Sequence, residues 1–133
     1  MNKLVISAIA MVIMAIGLGY IVHGVLLHDD YTQLQSWMRP QADVNRLFYL
    51  IIVARALFGV AFAWIYEQGR EDKPWLAQGV RFGIAVAALA VVPTYLIYHV
   101  VTPVPLAVAI KQIVFDAISV LLMGIVAAWI NRT

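Results

Sequence analysis

Four apolar stretches, each long enough to cross a bilayer as a helix, occupy most of this 133-residue chain. A hydrocarbon core of about 30 Å requires roughly 20 apolar residues at a rise of 1.5 Å per residue. The stretches cover residues 4–27, 45–66, 75–98 and 104–130. We therefore expect an all-α membrane protein in which residues 1–133 form a single domain of four transmembrane helices.

The composition supports this fold class and excludes several functions. Hydrophobic residues make up 64% of the chain and charged residues 12%, whereas soluble domains average about 45–50% apolar and about 25% charged residues. The chain has no cysteine, which excludes disulfides and thiol chemistry. A net charge of +2, carried by scattered basic residues, does not indicate a nucleic-acid partner.

The basic residues between the spans predict the orientation, because Lys and Arg are enriched in cytoplasmic loops. An arrangement with both termini inside gives five basic residues on the inner side and two on the outer side. The inner residues are Lys3, Arg70, Lys73, Arg81 and Arg132, and the outer residues are Arg39 and Arg46. We therefore expect both termini on the cytoplasmic side.

The connection between the first two spans carries a helical pattern of its own. Tyr31, Leu34 and Trp37 recur at helical spacing, and Pro40 ends the run. Aromatic residues are typical of the membrane interface. The pattern predicts a short interfacial helix on the outer side.

Small residues recur every four positions in three of the spans. They are Ala15 and Gly19, Gly59 and Ala63, and Gly79, Gly83 and Ala87. Close packing holds membrane helices together, because lipid is as apolar as leucine. Packing within the four-helix bundle is the first interpretation, and self-association through one of these faces is the alternative. Pro93, within the third span, is expected to interrupt its helix.

Two charged residues lie inside the predicted spans, where a charge costs about 2.5–3.5 kcal/mol unless it is paired or hydrated. Arg55 and Asp116 each lie about 15 Å along their spans, counted from the outer surface. We expect them to form a hydrogen-bonded ion pair. Gln112, Asp116 and Ser119 share one helix face and predict a polar stripe directed into the bundle. The ion pair either sets the helix register or forms part of a proton or ion relay.

A second polar cluster is expected at the outer ends of the spans. Its candidate residues are His23, His28, Tyr95, His99 and Lys111. Three interpretations remain open: ordinary interfacial polar residues, a pocket for a small molecule or lipid headgroup, or a metal or haem site. The last alternative follows from histidine nitrogens being good ligands for zinc, copper and iron.

Several of these segments resemble a set of small bacterial four-helix membrane proteins of unknown function. The resemblance rests on His23-Gly24-Val25-Leu26-Leu27, Tyr31, Trp37-Met38-Arg39-Pro40, Gly79-Val80-Arg81-Phe82-Gly83, Pro93, Tyr98 and Thr102-Pro103-Val104-Pro105. It implies a multi-pass protein of the bacterial cytoplasmic membrane. It also directs attention to the predicted outer face.

The sequence contains no recognisable catalytic motif, such as a nucleophile elbow or a phosphate-binding glycine loop. We therefore do not expect an enzyme, and we assign no cofactor. The first expectation is an accessory or structural subunit that associates with a larger membrane complex or with itself. One alternative is an outward-facing protein that binds a small ligand, metal or haem at His23 and His99. Another is an ion or proton transporter that uses Arg55 and Asp116.

Overall fold

A computed structural model describes residues 2–132, which contain helices and no strand. The helices are α1 (Lys3–Leu26), α2 (His28–Thr32), α3 (Gln41–Gly69), α4 (Trp75–Val101) and α5 (Leu106–Ile130). All except α2 are long and apolar enough to cross a membrane. The predicted all-helical fold with four such helices is confirmed. The largest difference in boundaries concerns α3, which extends beyond the predicted range of 45–66 at both ends.

The four long helices alternate in direction, so that Lys3 and Arg132 lie at one end of the bundle with the connection between α3 and α4. At this end, which we call the termini end, the Asn131 side-chain amide donates to the Ser7 hydroxyl at 2.8 Å. Arg70 donates to the Asn131 carbonyl at 3.2 Å. The opposite end, called the far end, contains residues 27–41 and 101–106.

The buried core lies mainly in the half of the bundle nearest the termini end. There α1 packs against α3 and α5, and α4 packs against α5. Phe62 and Tyr66 of α3 meet Phe82 of α4 with ring centroids 4.7 and 5.4 Å apart. Met11 of α1 and Met123 of α5 are fully or almost fully buried in the same core.

Glycines allow the helix backbones of this core to approach one another closely. A Cβ atom on Gly59 would lie 2.6 Å from the backbone nitrogen of Val12 in α1. A Cβ atom on Gly79 would lie 2.7 Å from the carbonyl oxygen of Gly124, and Gly83 faces α5 in the same way. The prediction that these glycines pack within the bundle is therefore confirmed.

The interruption predicted at Pro93 takes the form of a π-helical segment, Ala87–Val91, within α4. Proline has no N–H group, so the carbonyl of Leu89 lacks its usual partner at position i+4. The Thr94 hydroxyl donates to the nearby Ala90 carbonyl at 2.7 Å. The wider turn lets the helix continue through the proline to Val101.

A second π-helical segment, Tyr20–Leu26, ends α1. At its end the Leu27 N–H donates to the Val22 carbonyl at 2.9 Å, a bond that spans five residues. Such segments are rare and often occur at functional sites, because they change the direction of the following side chains. His23 lies inside this segment.

The far-end half of α3 lies apart from the rest of the bundle. Every residue from 48 to 54 is exposed, and seven consecutive residues cover all sides of a helix. In contrast, Phe62 and Tyr66 near the other end of α3 are buried. The bundle is therefore closed at the termini end and more open at the far end.

Candidate functional site

The carboxylate of Asp116 on α5 is the centre of a polar network at the far end. His23 Nε2 lies 3.1 Å from Asp116 Oδ2, and the Tyr95 hydroxyl donates to the same oxygen. The Tyr95 hydroxyl also lies 3.3 Å from His23 Nε2. A carboxylate can only accept hydrogen bonds, so the proton of this bond is on His23 Nε2. The network thereby joins α1, α4 and α5.

Tyr31 on α2 extends this network to the connection between α1 and α3. Its hydroxyl lies 2.6 Å from His23 Nδ1, and its ring is nearly parallel to the imidazole. Gln112 Nε2 donates to the Tyr31 oxygen at 3.1 Å. Burial raises the pKa of the Tyr31 hydroxyl above its ordinary value. Tyr31 is therefore neutral at physiological pH and donates to His23, which completes a chain of hydrogen bonds from Gln112 to Asp116.

A cavity of about 450 Å³ lies beside this network at the far end. Its polar lining consists of Tyr31, Tyr95, Tyr98, His99, Thr102 and Gln112. Its apolar lining consists of side chains from two segments, namely Leu34, Trp37, Met38, Val101, Pro103 and Val104. The volume lies within the range of roughly 300–1,000 Å³ that is typical of small-molecule sites. The cavity therefore combines a mostly apolar wall with a few fixed polar groups.

Some of the residues predicted for the outer cluster lie at the cavity, and others lie away from it. Tyr95 and His99 line the cavity, and His23 lies behind Tyr95 as its hydrogen-bonding partner. His28 is exposed and does not line the cavity. Lys111 forms an ion pair with Asp30 at 3.1 Å and also lies outside the lining.

Two histidines of this end, His23 and His99, make hydrogen bonds within the protein. His23 uses both ring nitrogens, one with Tyr31 and one with Asp116. His99 Nδ1 lies 2.8 Å from the carbonyl oxygen of Val104. Within residues 2–132, no group of three or more His, Asp or Glu side chains is arranged to hold a metal ion.

The predicted hydrogen bond between Arg55 and Asp116 is wrong. Among the described residues, Asp116 bonds to His23 and Tyr95, and Arg55 makes no hydrogen bond or ion pair. Because α3 begins at Gln41, Arg55 lies about 21 Å along its helix, whereas Asp116 lies about 15 Å along α5. Along α1, Arg55 lies at the level of Gly19 and Asp116 at the level of His23, about one turn nearer the far end.

Arg55 lies instead against α1. A Cβ atom on Gly19 would lie 2.8 Å from the guanidinium carbon of Arg55. The absence of a side chain at Gly19 therefore leaves space for this guanidinium. Beyond Arg55, towards the far end, residues 48–54 of α3 are exposed and do not pack closely on α1.

The predicted polar stripe on α5 has two different roles. Gln112 and Asp116 take part in the network through Tyr31, His23 and Tyr95. Ser119 instead donates to the Phe115 carbonyl of its own helix at 2.9 Å.

A second cavity, of about 400 Å³, lies at the termini end, but its charged groups have neighbouring partners. Lys73 pairs with Glu71 at 2.5 Å, and Arg70 pairs with Glu67 at 3.0 Å. Arg81 donates to the carbonyl of Ala77 in its own helix. Local contacts account for these residues, so the far-end cavity is the stronger candidate site.

Comparison with protein-family models finds no match for the chain, and neither does comparison with curated proteins or with solved structures. This agrees with the resemblance to membrane proteins of unknown function. Function is therefore inferred from the geometry of the far-end cavity.

Proposed function

We propose that this multi-pass membrane protein binds a small, largely apolar molecule in the far-end cavity. The observation that carries the proposal is the hydrogen-bonded chain Gln112–Tyr31–His23–Asp116 beside that cavity. Such a chain fixes the orientation of polar groups within an otherwise apolar wall, which is the usual construction of a small-molecule site. Together with Tyr95, which donates to Asp116, these hydrogen bonds link α1, α2, α4 and α5, so the cavity wall is held from several sides.

In this proposal the far end faces the outside of a bacterial cytoplasmic membrane, and α2 lies in the outer interface. Four basic residues near the helix ends support this orientation, because they gather at the termini end: Lys3, Arg70, Lys73 and Arg132. Tyr31 and Trp37 lie in the far-end connection, at the depth where aromatic residues are common. A ligand then enters from the outer surface or from the outer leaflet.

The test is to purify the protein from its native membrane, extract it with solvent and quantify small molecules by mass spectrometry. Val101→Trp fills the cavity, because Val101 lines it, whereas Val100→Trp changes an exposed neighbour outside the lining. We expect an equimolar molecule in the wild type and in Val100→Trp, and about a ten-fold smaller amount in Val101→Trp. A wild type that carries no such molecule, or a Val101→Trp variant that keeps it, contradicts the proposal.

A second proposal is that the chain is an accessory subunit, which associates through α3 with a transmembrane helix of another protein. It is supported by the exposure of residues 48–54 on all sides of α3 and by Arg55, which makes no ion pair among the described residues. Arg55 lies about 21 Å from either end of α3, so its side chain is too short to reach the lipid phosphates. In this proposal a carboxylate on the partner helix forms a direct ion pair with Arg55, whose guanidinium lies near the Asp116 carboxylate without contacting it.

Native mass spectrometry in mild detergent tests the association. We expect the wild type to run with a heavier partner protein, and Arg55→Gln to lose that partner. Arg46→Gln serves as the control, because Arg46 is exposed and pairs only with Asp43 of its own helix. A wild-type monomer or homo-oligomer contradicts the proposal, and so does a complex that both variants retain.

A further inference from the structure

Most hydrogen-bond donors on the cavity wall are already used inside the protein. The Tyr31 hydroxyl donates to His23, and the Tyr95 hydroxyl donates to Asp116. The Thr102 hydroxyl donates to the Tyr98 carbonyl at 2.5 Å. These side chains therefore have lone pairs, and no hydroxyl proton, to offer to a ligand.

The ring proton of His99 is likewise used in a hydrogen bond within the protein. Its Nδ1 bonds to the Val104 carbonyl, which can only accept, so Nδ1 carries the proton. In the neutral imidazole, Nε2 is then a bare acceptor. Gln112 uses one N–H on Tyr31 and keeps its amide oxygen as an acceptor. Acceptors therefore dominate the inner wall of the cavity.

The remaining donors are few and lie mostly near water. Gln112 retains one N–H, and the Tyr98 hydroxyl and the Trp37 indole N–H belong to side chains that are 56% and 55% exposed. A ligand that mainly accepts hydrogen bonds would leave most of the inner acceptors without partners, which is unfavourable.

Among ligands that donate hydrogen bonds, the charge and the aromatic rings of the site favour a cation. None of the described residues that line the cavity is a lysine or an arginine. The Asp116 carboxylate lies directly behind Tyr95. Four aromatic side chains line the cavity, namely Tyr31, Trp37, Tyr95 and Tyr98, and the faces of such rings attract cations.

We infer that the ligand is a protonated amine with an apolar body. This inference rests on the proposed binding function and adds the chemical class of the ligand. The ammonium group donates to the acceptors of the inner wall, and the apolar body lies against the apolar lining defined above. The same chemistry is offered by a free organic amine and by the ethanolamine headgroup of a lipid.

Three molecules of one ring system test the inference: naphthylmethylammonium, naphthalenemethanol and naphthoate. Their binding is measured by isothermal titration calorimetry on protein in nanodiscs of phosphatidylglycerol, with empty nanodiscs subtracted. We expect the ammonium compound to bind about ten-fold or more tightly than the alcohol, and the carboxylate to show no saturable binding.

A matched pair of variants locates the binding. His99→Phe keeps an aromatic ring in the cavity and removes the acceptor, so it should weaken ammonium binding about ten-fold, the effect of one hydrogen bond to a charged donor. His28→Phe changes an exposed histidine outside the cavity and should leave binding unchanged. Equal effects of the two substitutions overturn the inference.

The outcomes separate the ligand class from the binding function. If the alcohol or the carboxylate binds as tightly as the ammonium compound, or if none of the three binds, the amine class is wrong. The molecule that co-purifies with the wild type still decides whether the cavity is a binding site. Nanodiscs that also contain phosphatidylethanolamine identify the source, because a headgroup in the cavity weakens the titration and a free amine as natural ligand leaves it unchanged.

Discussion

Replacing Asp116 with alanine is expected to lower the free energy of unfolding by about 2 kcal/mol. Hydrogen bonds between membrane helices average only about 0.6 kcal/mol each. However, this substitution leaves two donors, on His23 and Tyr95, without their shared acceptor in a partly buried site. An unsatisfied buried donor costs about 1–3 kcal/mol. Reversible unfolding in mixed micelles, followed by circular dichroism, measures the change.

Ser119→Ala is the matched control for Asp116→Ala, because Ser119 lies on the same helix and bonds only to its own backbone. We expect its effect to stay below about 0.5 kcal/mol, as for substitutions away from tertiary contacts. Similar losses of stability in the two variants would show that the bonds between helices at Asp116 do not stabilise the bundle.

Replacing Gly124 with alanine is expected to destabilise the protein by about 2–3 kcal/mol. A Cβ atom at this position would collide with the Gly79 carbonyl oxygen and lie 3.0 Å from the Gly83 nitrogen. Both are backbone atoms, so α4 and α5 must separate along their contact. Overpacking of this kind typically costs about 1–3 kcal/mol.

Gly17→Ala provides a control of opposite sign. Nothing lies within 4 Å of a Cβ atom at Gly17, which is in the middle of α1. Alanine should therefore stabilise the helix by up to about 1 kcal/mol through its higher helix propensity. A similar loss of stability for both substitutions would show that glycine flexibility, and not close packing of α4 on α5, is what matters at Gly124.

The fold could be predicted from the sequence because the physical constraint is strong. A bilayer requires long apolar helices, and four of them are visible as uninterrupted stretches. The small residues Gly59, Gly79 and Gly83 also indicated where the helices pack. Gly124 was missed, although Ala128 follows it at the same four-residue spacing and contacts Gly79 as well.

The site could be predicted only in part. Tyr95 and His99 both belong to the predicted outer cluster, and both line the cavity. The partner of Asp116 was assigned incorrectly, because depth was counted along predicted helices whose ends were displaced. α3 begins at Gln41 and not at Asn45, and Arg55 lies at the level of Gly19 of α1, whereas Asp116 lies at the level of His23.

Helical periodicity in the sequence could not predict the contact between His23 and Asp116. His23 lies in a π-helical segment that contains no proline, so the sequence gives no sign that the α-helix is interrupted there. Tyr31 reaches His23 only because the connection after α1 folds back towards α5, where Asp30 pairs with Lys111. These are tertiary features, and helical periodicity contains no information about them.

The central claim is that protein contacts orient the polar groups of the far-end cavity so that acceptors face the ligand. Nitrogen NMR of the ¹⁵N-histidine-labelled protein tests this claim most directly, because protonated and bare imidazole nitrogens resonate far apart. The chain has three histidines, and His28→Phe and His99→Phe assign their signals. For the neutral imidazoles we predict the tautomer of His99 with its proton on Nδ1 and a bare Nε2, and the tautomer of His23 with its proton on Nε2 and a bare Nδ1. The opposite tautomer at either histidine would contradict the account.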